Sequence, residues 1–185
     1  MIYELRTYTA KQGTVQDVAK AASTVSRDIR KDDYGKLEGY WVTDIGPLNQ
    51  VMHLWSYKDL NERARLRAEL AKNPRWNSEY VPLIRPNLVR QDIRLLNAVR
   101  APVAPAKSPN VYELRCYRAR PGAAQQWLDL FTGALPVREK YSKSVCGRPK
   151  RASPTRSATF GRTPISMRAR PSAPSPARTR AGRNS

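Results

Sequence analysis

His53 is the only histidine in the 185-residue chain, which makes it the natural candidate for acid–base catalysis or metal contact. It lies in Asn49 to Tyr57 (NQVMHLWSY), where strand alternation puts Val51, His53, Trp55 and Tyr57 on one face and Met52 and Leu54 on the other. Ile2 to Thr9 (IYELRTYT) alternates in the same way, so Glu4, Arg6 and Tyr8 share a face. With Met52 and Leu54 packed under helices, Glu4, Arg6, Tyr8, Val51, His53 and Trp55 would line an interior cavity. A few converging polar groups in an apolar wall are the usual form of a small-molecule site. The competing reading is a hydrogen-bonded network of His53, Glu4 and Arg6 that satisfies itself and holds no ligand. His53 is the catalytic candidate, but no acidic pair beside it defines a reaction, and the sequence leaves enzymatic activity open.

Other chemistry finds less support. One histidine and two cysteines, Cys116 and Cys146, give no metal-ligand spacing, so neither a metal nor a cofactor is expected. There is no phosphate-cradling glycine loop and no supported Ser/His/Asp arrangement. Trp41, Trp55 and Trp76 read as core or interface residues, and Asp32-Asp33 as a solvated helix end.

The elements that must position these residues follow from periodicity. After the first strand, Gln12-Gly13 turns the chain, and Val15, Val18, Ala19, Ala22, Val25 and Ile29 recur at helical spacing behind a Thr14 cap. Lys36 to Ile45 and Asn49 to Tyr57 form two strands joined at Gly46-Pro47. Asp59 with Glu62 starts a second helix that runs to about Leu70–Lys72 and ends at Asn73-Pro74. Asn87 to Leu96 is the last strand. The order βαββαβ implies an α+β, ferredoxin-like domain over residues 1–99, with both helices on one sheet face and the other face left to be covered.

Residues 100–110 are a small, Pro-rich linker. The beginning then repeats: VYELRCY at 111–117 mirrors IYELRTY at 2–8, and Pro121-Gly122 stands where Gln12-Gly13 stood. A helix carrying Trp127, Leu128 and Phe131 follows, expected to leave these side chains partly exposed. The second copy, 111–146, stops after its first strand and helix.

Leu5-Arg6-x-Tyr8, Gly39-Tyr40-Trp41 and the segment Gly46-x-x-Asn49-x-Val51-x-His53-Leu54-Trp55-x-Tyr57 resemble the NIPSNAP family. The resemblance covers nearly all of residues 1–98 and the start of the second copy. It implies the dimeric α/β-barrel fold, in which two ferredoxin-like sheets pack face to face, and a homodimer through the open sheet face of residues 1–99. It implies a binding or interaction module without an assigned reaction. The same architecture also hosts cofactor-free monooxygenases, which keeps a small-molecule enzyme as the alternative.

The chain carries 34 Lys and Arg against 15 Asp and Glu, a net charge of +19. Residues 147–185 hold ten of those cations, no acid and six prolines, and are expected to be disordered. Such an arm would attract phosphate backbones nonspecifically. With Phe160 as its only aromatic residue, base stacking has little to work with, so nucleic acid is an unfavoured partner. Of these 39 residues, 34 are Ala, Gly, Pro, Arg, Ser or Thr, as G/C-rich codons read out of frame would give. Joining each unknown third base to the next two bases from Cys146 onward permits WTTEAGQPNEVxHLWAYxDLNAR. That string aligns without a gap to residues 41–63, WVTDIGPLNQVMHLWSYKDLNER. A gained or lost base near codons 144–146 therefore accounts for the tail. No apolar run nears the roughly 20 residues of a membrane span. With no signal-like segment and only two cysteines, a cytoplasmic location is expected.

Overall fold

β1 (Ile2–Ala10) forms the middle of the sheet because both of its faces are buried against other elements. On one side it pairs antiparallel with β3 (Gln50–Tyr57), which sets Glu4 opposite Trp55, Arg6 opposite His53 and Tyr8 opposite Val51. On the other it pairs antiparallel with β4 (Leu88–Ala98), which sets Arg6 opposite Ile93. β2 (Lys36–Thr43) adds beside β3. The order β2-β3-β1-β4 is the ferredoxin-like arrangement expected from the sequence. This computed structural model describes residues 1–103 and 111–141, and the backbone of 147–149 and 167–168.

The first crossover is one helical rod with an irregular middle. α1 (Val15–Ala21) passes through a π-helical turn, Ala22–Ser26, into α2 (Arg27–Arg30). Thr14 stands at its N-cap, yet its hydroxyl donates to the Lys11 carbonyl at 2.9 Å instead of accepting from the helix. The second crossover begins as the sequence indicates. At α3 (Leu60–Lys72), the Asp59 carboxylate accepts from the Glu62 N–H at 2.9 Å, and Glu62 accepts from the Lys58 N–H at 2.6 Å. Residues 76–87, unassigned in the sequence reading, form a second π-helical turn, Trp76–Tyr80. It is followed by α4 (Val81–Ile84) and a 3-10 turn, Arg85–Asn87.

The sheet faces are assigned oppositely to the sequence expectation. Tyr8 and Val51 pack beneath Val18, Ala21, Ile29, Tyr80 and Ile84, so the His53 face looks toward the helices. Met52 and Leu54 lie on the far face with Tyr3, Leu5 and Leu96. Both sets are apolar enough to be buried, so alternation separates the faces without saying which one the helices choose. On the helix-facing side, Leu66 of α3 packs against a smaller group of Ile2, Trp55 and Tyr57.

The second copy supplies β5 (Val111–Tyr112) and α5 (Ala124–Glu139). Leu114 is buried in the far-face cluster, and Tyr112 meets Trp41 with ring centroids 6.0 Å apart. Trp127 and Phe131 are half-buried as expected, whereas Leu128 is buried. In the arm, β6 (Gly147–Pro149) pairs with β4, and β7 (Met167–Arg168) joins β2 to β5. These five residues pair along sheet edges, where a strand offers a row of unpaired backbone groups to an extended segment. The remainder of that arm, Cys146 and residues 104–110 of the linker lie outside the described residues.

Candidate functional site

A cavity of about 510 Å³ opens between the His53 face of the sheet and the helices. Its floor is Arg6 and Tyr8 of β1, Tyr40 of β2, and His53 and Trp55 of β3. Its roof comes from both crossovers: Ala22, Ser26 and Arg30 from the first, Trp76, Tyr80 and Ile84 from the second. Both π-helical turns therefore border the cavity, Ala22 and Ser26 at the ends of one, Trp76 and Tyr80 at the ends of the other. A π turn inserts an extra residue into the helical pitch, and such insertions concentrate at functional sites.

Four of the sequence candidates, Arg6, Tyr8, His53 and Trp55, line this cavity. Val51 lies in the adjacent core, fully buried against Val18. Glu4 lies beneath the floor, also fully buried, and accepts from Arg6 Nη1 at 2.7 Å and from Arg63 Nε. Burial pushes the Glu4 carboxyl up, but Arg6 and Arg63 outweigh it and hold the group below its ordinary value. Glu4 is a counter-ion that fixes Arg6 and not a wall of the cavity. In the motif loop, Gly46 has φ +95° and Asn49 has φ +56°, the left-handed backbone that these two residue types tolerate best. Leu54 and Tyr57 are core residues on opposite faces.

His53 is held in one protonation state. The Trp55 indole N–H, which can only donate, reaches His53 Nδ1 at 2.5 Å, so Nδ1 carries a lone pair and the ring proton resides on Nε2. Burial, reinforced by Arg6, Arg30 and Arg67, keeps the imidazole pKa well below 6.5. The ring is stacked on Tyr40, with centroids 5.4 Å apart, and edge-on to Tyr8 at 4.8 Å. A neutral imidazole with Nδ1 occupied is poorly placed to take a proton there, and has only its Nε2–H to offer as a donor. The phenols are likewise kept protonated: burial raises Tyr40 well above 10, and pushes Tyr80 up to about 12.

Sequence reasoning missed the cationic side of the site. Arg27, Arg30, Arg67, Arg85 and Arg90 join Arg6 in the lining, with no acidic side chain among the lining residues. Arg30 is only 2% exposed, donates to the Tyr34 carbonyl at 2.7 Å and the Tyr57 hydroxyl at 3.0 Å, and lies over the Trp55 ring. Burial lowers its pKa to about 10, leaving it charged at neutral pH. Among the described residues, no group of three or more His, Cys, Asp or Glu side chains could hold a metal, and Cys116 is exposed and outside any disulfide. No helix of the described residues is long and apolar enough to cross a membrane.

Comparison with known proteins agrees with this architecture. Residues 3–102 match the family described as NIPSNAP. Human Protein NipSnap homolog 3B is 30% identical over 151 residues, covering 77% of this chain and 59% of that protein, so the chain spans well under the relative's full length. The crystal structure of an uncharacterized NIPSNAP-like domain protein from Burkholderia xenovorans is 42% identical. It superposes with a TM-score of 0.51 over 56% of this chain and 90% of that one. A putative monooxygenase from Lactobacillus acidophilus, 9% identical, reaches a TM-score of 0.50 over 90% of this chain and 75% of its own, a likeness of fold alone.

Proposed function

We propose, from the premise that this chain belongs to the NIPSNAP family, that its first domain is a binding module for a small organic molecule held between sheet and helices. The observation that carries the reading is the cavity itself. An opening of about 510 Å³ interrupts an otherwise packed interface, and aromatic rings wall it. Volumes of that order accommodate small organic ligands and cofactors. His53, neutral and oriented by Trp55, contributes a directional donor in place of a proton-transfer group.

In the same reading the apolar far face of the sheet is an assembly surface. Tyr3, Leu5, Met52, Leu54 and Leu96 form its centre, which Leu114 and Tyr112 of the second copy already cover in this chain. A second sheet, from another copy or from a complete second repeat, would take the place of that short segment. Supporting the tandem reading, the stretch similar to the human relative covers 77% of the chain, and so must reach beyond the matched domain into the second copy. A cytoplasmic module whose second repeat is cut short by a frame slip remains our account of the whole chain.

The test is native mass spectrometry of the purified full-length protein, together with thermal shifts against a set of flat apolar compounds. Retained or added ligand that raises the midpoint, and does so less in His53→Ala, is the expected result. An empty protein that no compound stabilises would overturn the reading. Turnover of any bound compound would move the assignment to the alternative, a small-molecule enzyme; the polar donors in the cavity favour that second reading.

A further inference from the structure

We propose that the ligand is an aromatic carboxylate, its anionic head taken by Arg30 and Arg67 and its flat body by the rings of Tyr8, Tyr40, Trp76 and Tyr80. This rests on reading the cavity as a ligand pocket, and adds the chemical class of what enters it.

Positive charge is left over in this lining. Arg6 has its carboxylate, Glu4; Arg27 has Asp32 at 2.6 Å; Arg90 has Asp92 at 2.8 Å. Among the described residues, no carboxylate lies within ion-pair distance of Arg30 or Arg67; Glu4, already shared by Arg6 and Arg63, acts on Arg67 only from beneath the floor. Taking a guanidinium out of water costs several kcal/mol after relaxation, about the range seen for buried ions, unless an anion or acceptors compensate. Arg30 receives only two neutral acceptors and a ring face, and its Nε is buried with no partner; the Nε of Arg6 is in the same condition. Arg67 is half-buried at the cavity wall with no hydrogen-bond partner among the described residues. The cations also act on each other across the cavity, Arg67 on Arg30 and Arg6 on Arg67. An arginine fork matches a carboxylate in shape as well as charge.

The body of the ligand follows from the remaining walls. Tyr40 and Tyr80 are held protonated, Trp76 and Tyr80 lie 4.3 Å apart at the roof, and the His53–Tyr40 stack forms the floor. These surfaces offer ring faces and edges to a flat hydrocarbon and repel nothing in it.

Three probes of one shape separate charge from shape: 2-naphthoate, 2-naphthalenemethanol and 2-naphthylmethylamine, titrated calorimetrically into the full-length chain at neutral pH. Naphthoate is expected to bind at least about tenfold tighter than the alcohol, the difference one charge-assisted hydrogen bond supplies, with the amine weakest. Arg67→Gln should shrink that ratio to near unity while alcohol binding persists. Arg30→Gln should do the same wherever its circular dichroism shows a native fold. Arg94→Gln, on the far face opposite Leu5, should leave the ratio intact and so exclude general attraction to a basic chain. Equal binding of acid and alcohol, or a ratio unmoved by Arg67→Gln, overturns the anion assignment and leaves the pocket standing. Failure of all three probes to bind overturns the pocket and the assignment together.

Discussion

The guanidinium carbon of Arg30 lies 3.3 Å from the centroid of the Trp55 ring. Trp55 thus carries a cation on its face and a hydrogen-bond acceptor, His53 Nδ1, on its edge. Replacing it with phenylalanine keeps an apolar ring but removes the indole donor and weakens the cation–π contact. Trp55→Phe is expected to cost about 2 kcal/mol, mostly from the acceptor left buried without its donor. Urea denaturation reads the loss, and nitrogen NMR of His53 should show its ring tautomers beginning to mix.

Stability should fall with acidification in two separable steps. The folded-state pKa of His53 is depressed below 6.5, so the unfolded chain binds the proton first. The stability this confers is complete above pH 6.5 and is lost as pH falls from there toward the folded value, at up to about 1.4 kcal/mol per pH unit. Glu4 is depressed below 4.5, so its contribution is present above that pH and is lost only below it. Denaturation midpoints at pH 7, 6 and 5 should decline in the native sequence and flatten in His53→Gln. A slope unchanged by that substitution would mean that the imidazole is not held neutral.

Two glycines with similar backbone signs should respond differently to alanine. Gly35 has φ +101°, and a Cβ there would run into the Tyr57 ring, which is itself fixed by Arg30. Gly13 has φ +82° and open space around it. Gly13→Ala is expected to cost about 1–2 kcal/mol, the left-handed backbone penalty alone. Gly35→Ala should exceed it, since the ring must move as well. Comparable losses would show that Tyr57 yields easily.

Independent reads of the source gene across codons 140–185 should reveal one base gained or lost near codons 144–146. The corrected frame should continue through a second HLWAY segment. Reads that uphold the written frame would make the basic arm a genuine part of the protein, and its affinity for polyanions the next quantity to measure.

The sequence made the four-stranded scaffold legible because its strands alternate cleanly and its second helix opens with Asp59 and Glu62 in register. It also put Glu4, Arg6, Tyr8, Val51, His53 and Trp55 on one face, of which Arg6, Tyr8, His53 and Trp55 line the cavity. It could not orient that face, since Tyr3, Leu5, Met52 and Leu54 make as good a core as Tyr8 and Val51. Arg30 and Arg67 gave no signal, because a helical arginine ordinarily belongs to a solvated surface. Trp76 read as a core or interface residue, but its place with Tyr80 over the cavity was hidden because both follow Pro74 in a π turn, where the spacing that marks a helix is broken.

The π turn at Ala22–Ser26 divides the first helical rod into two phases. Its leading half seats Val18 and Ala21 in the core, and its trailing half delivers Arg30 to the cavity. The extra residue held in that turn is what sets Arg30 one position out of the α register of Val18 and Ala21. Removing one residue between 22 and 26 would restore α pitch and leave the trailing half in its present phase, whereas one residue gained in the regular part of the rod would rotate that half by about 100° and swing Arg30 off Trp55. A codon lost from the turn would therefore be nearly silent for recognition, and a codon gained beside it would not.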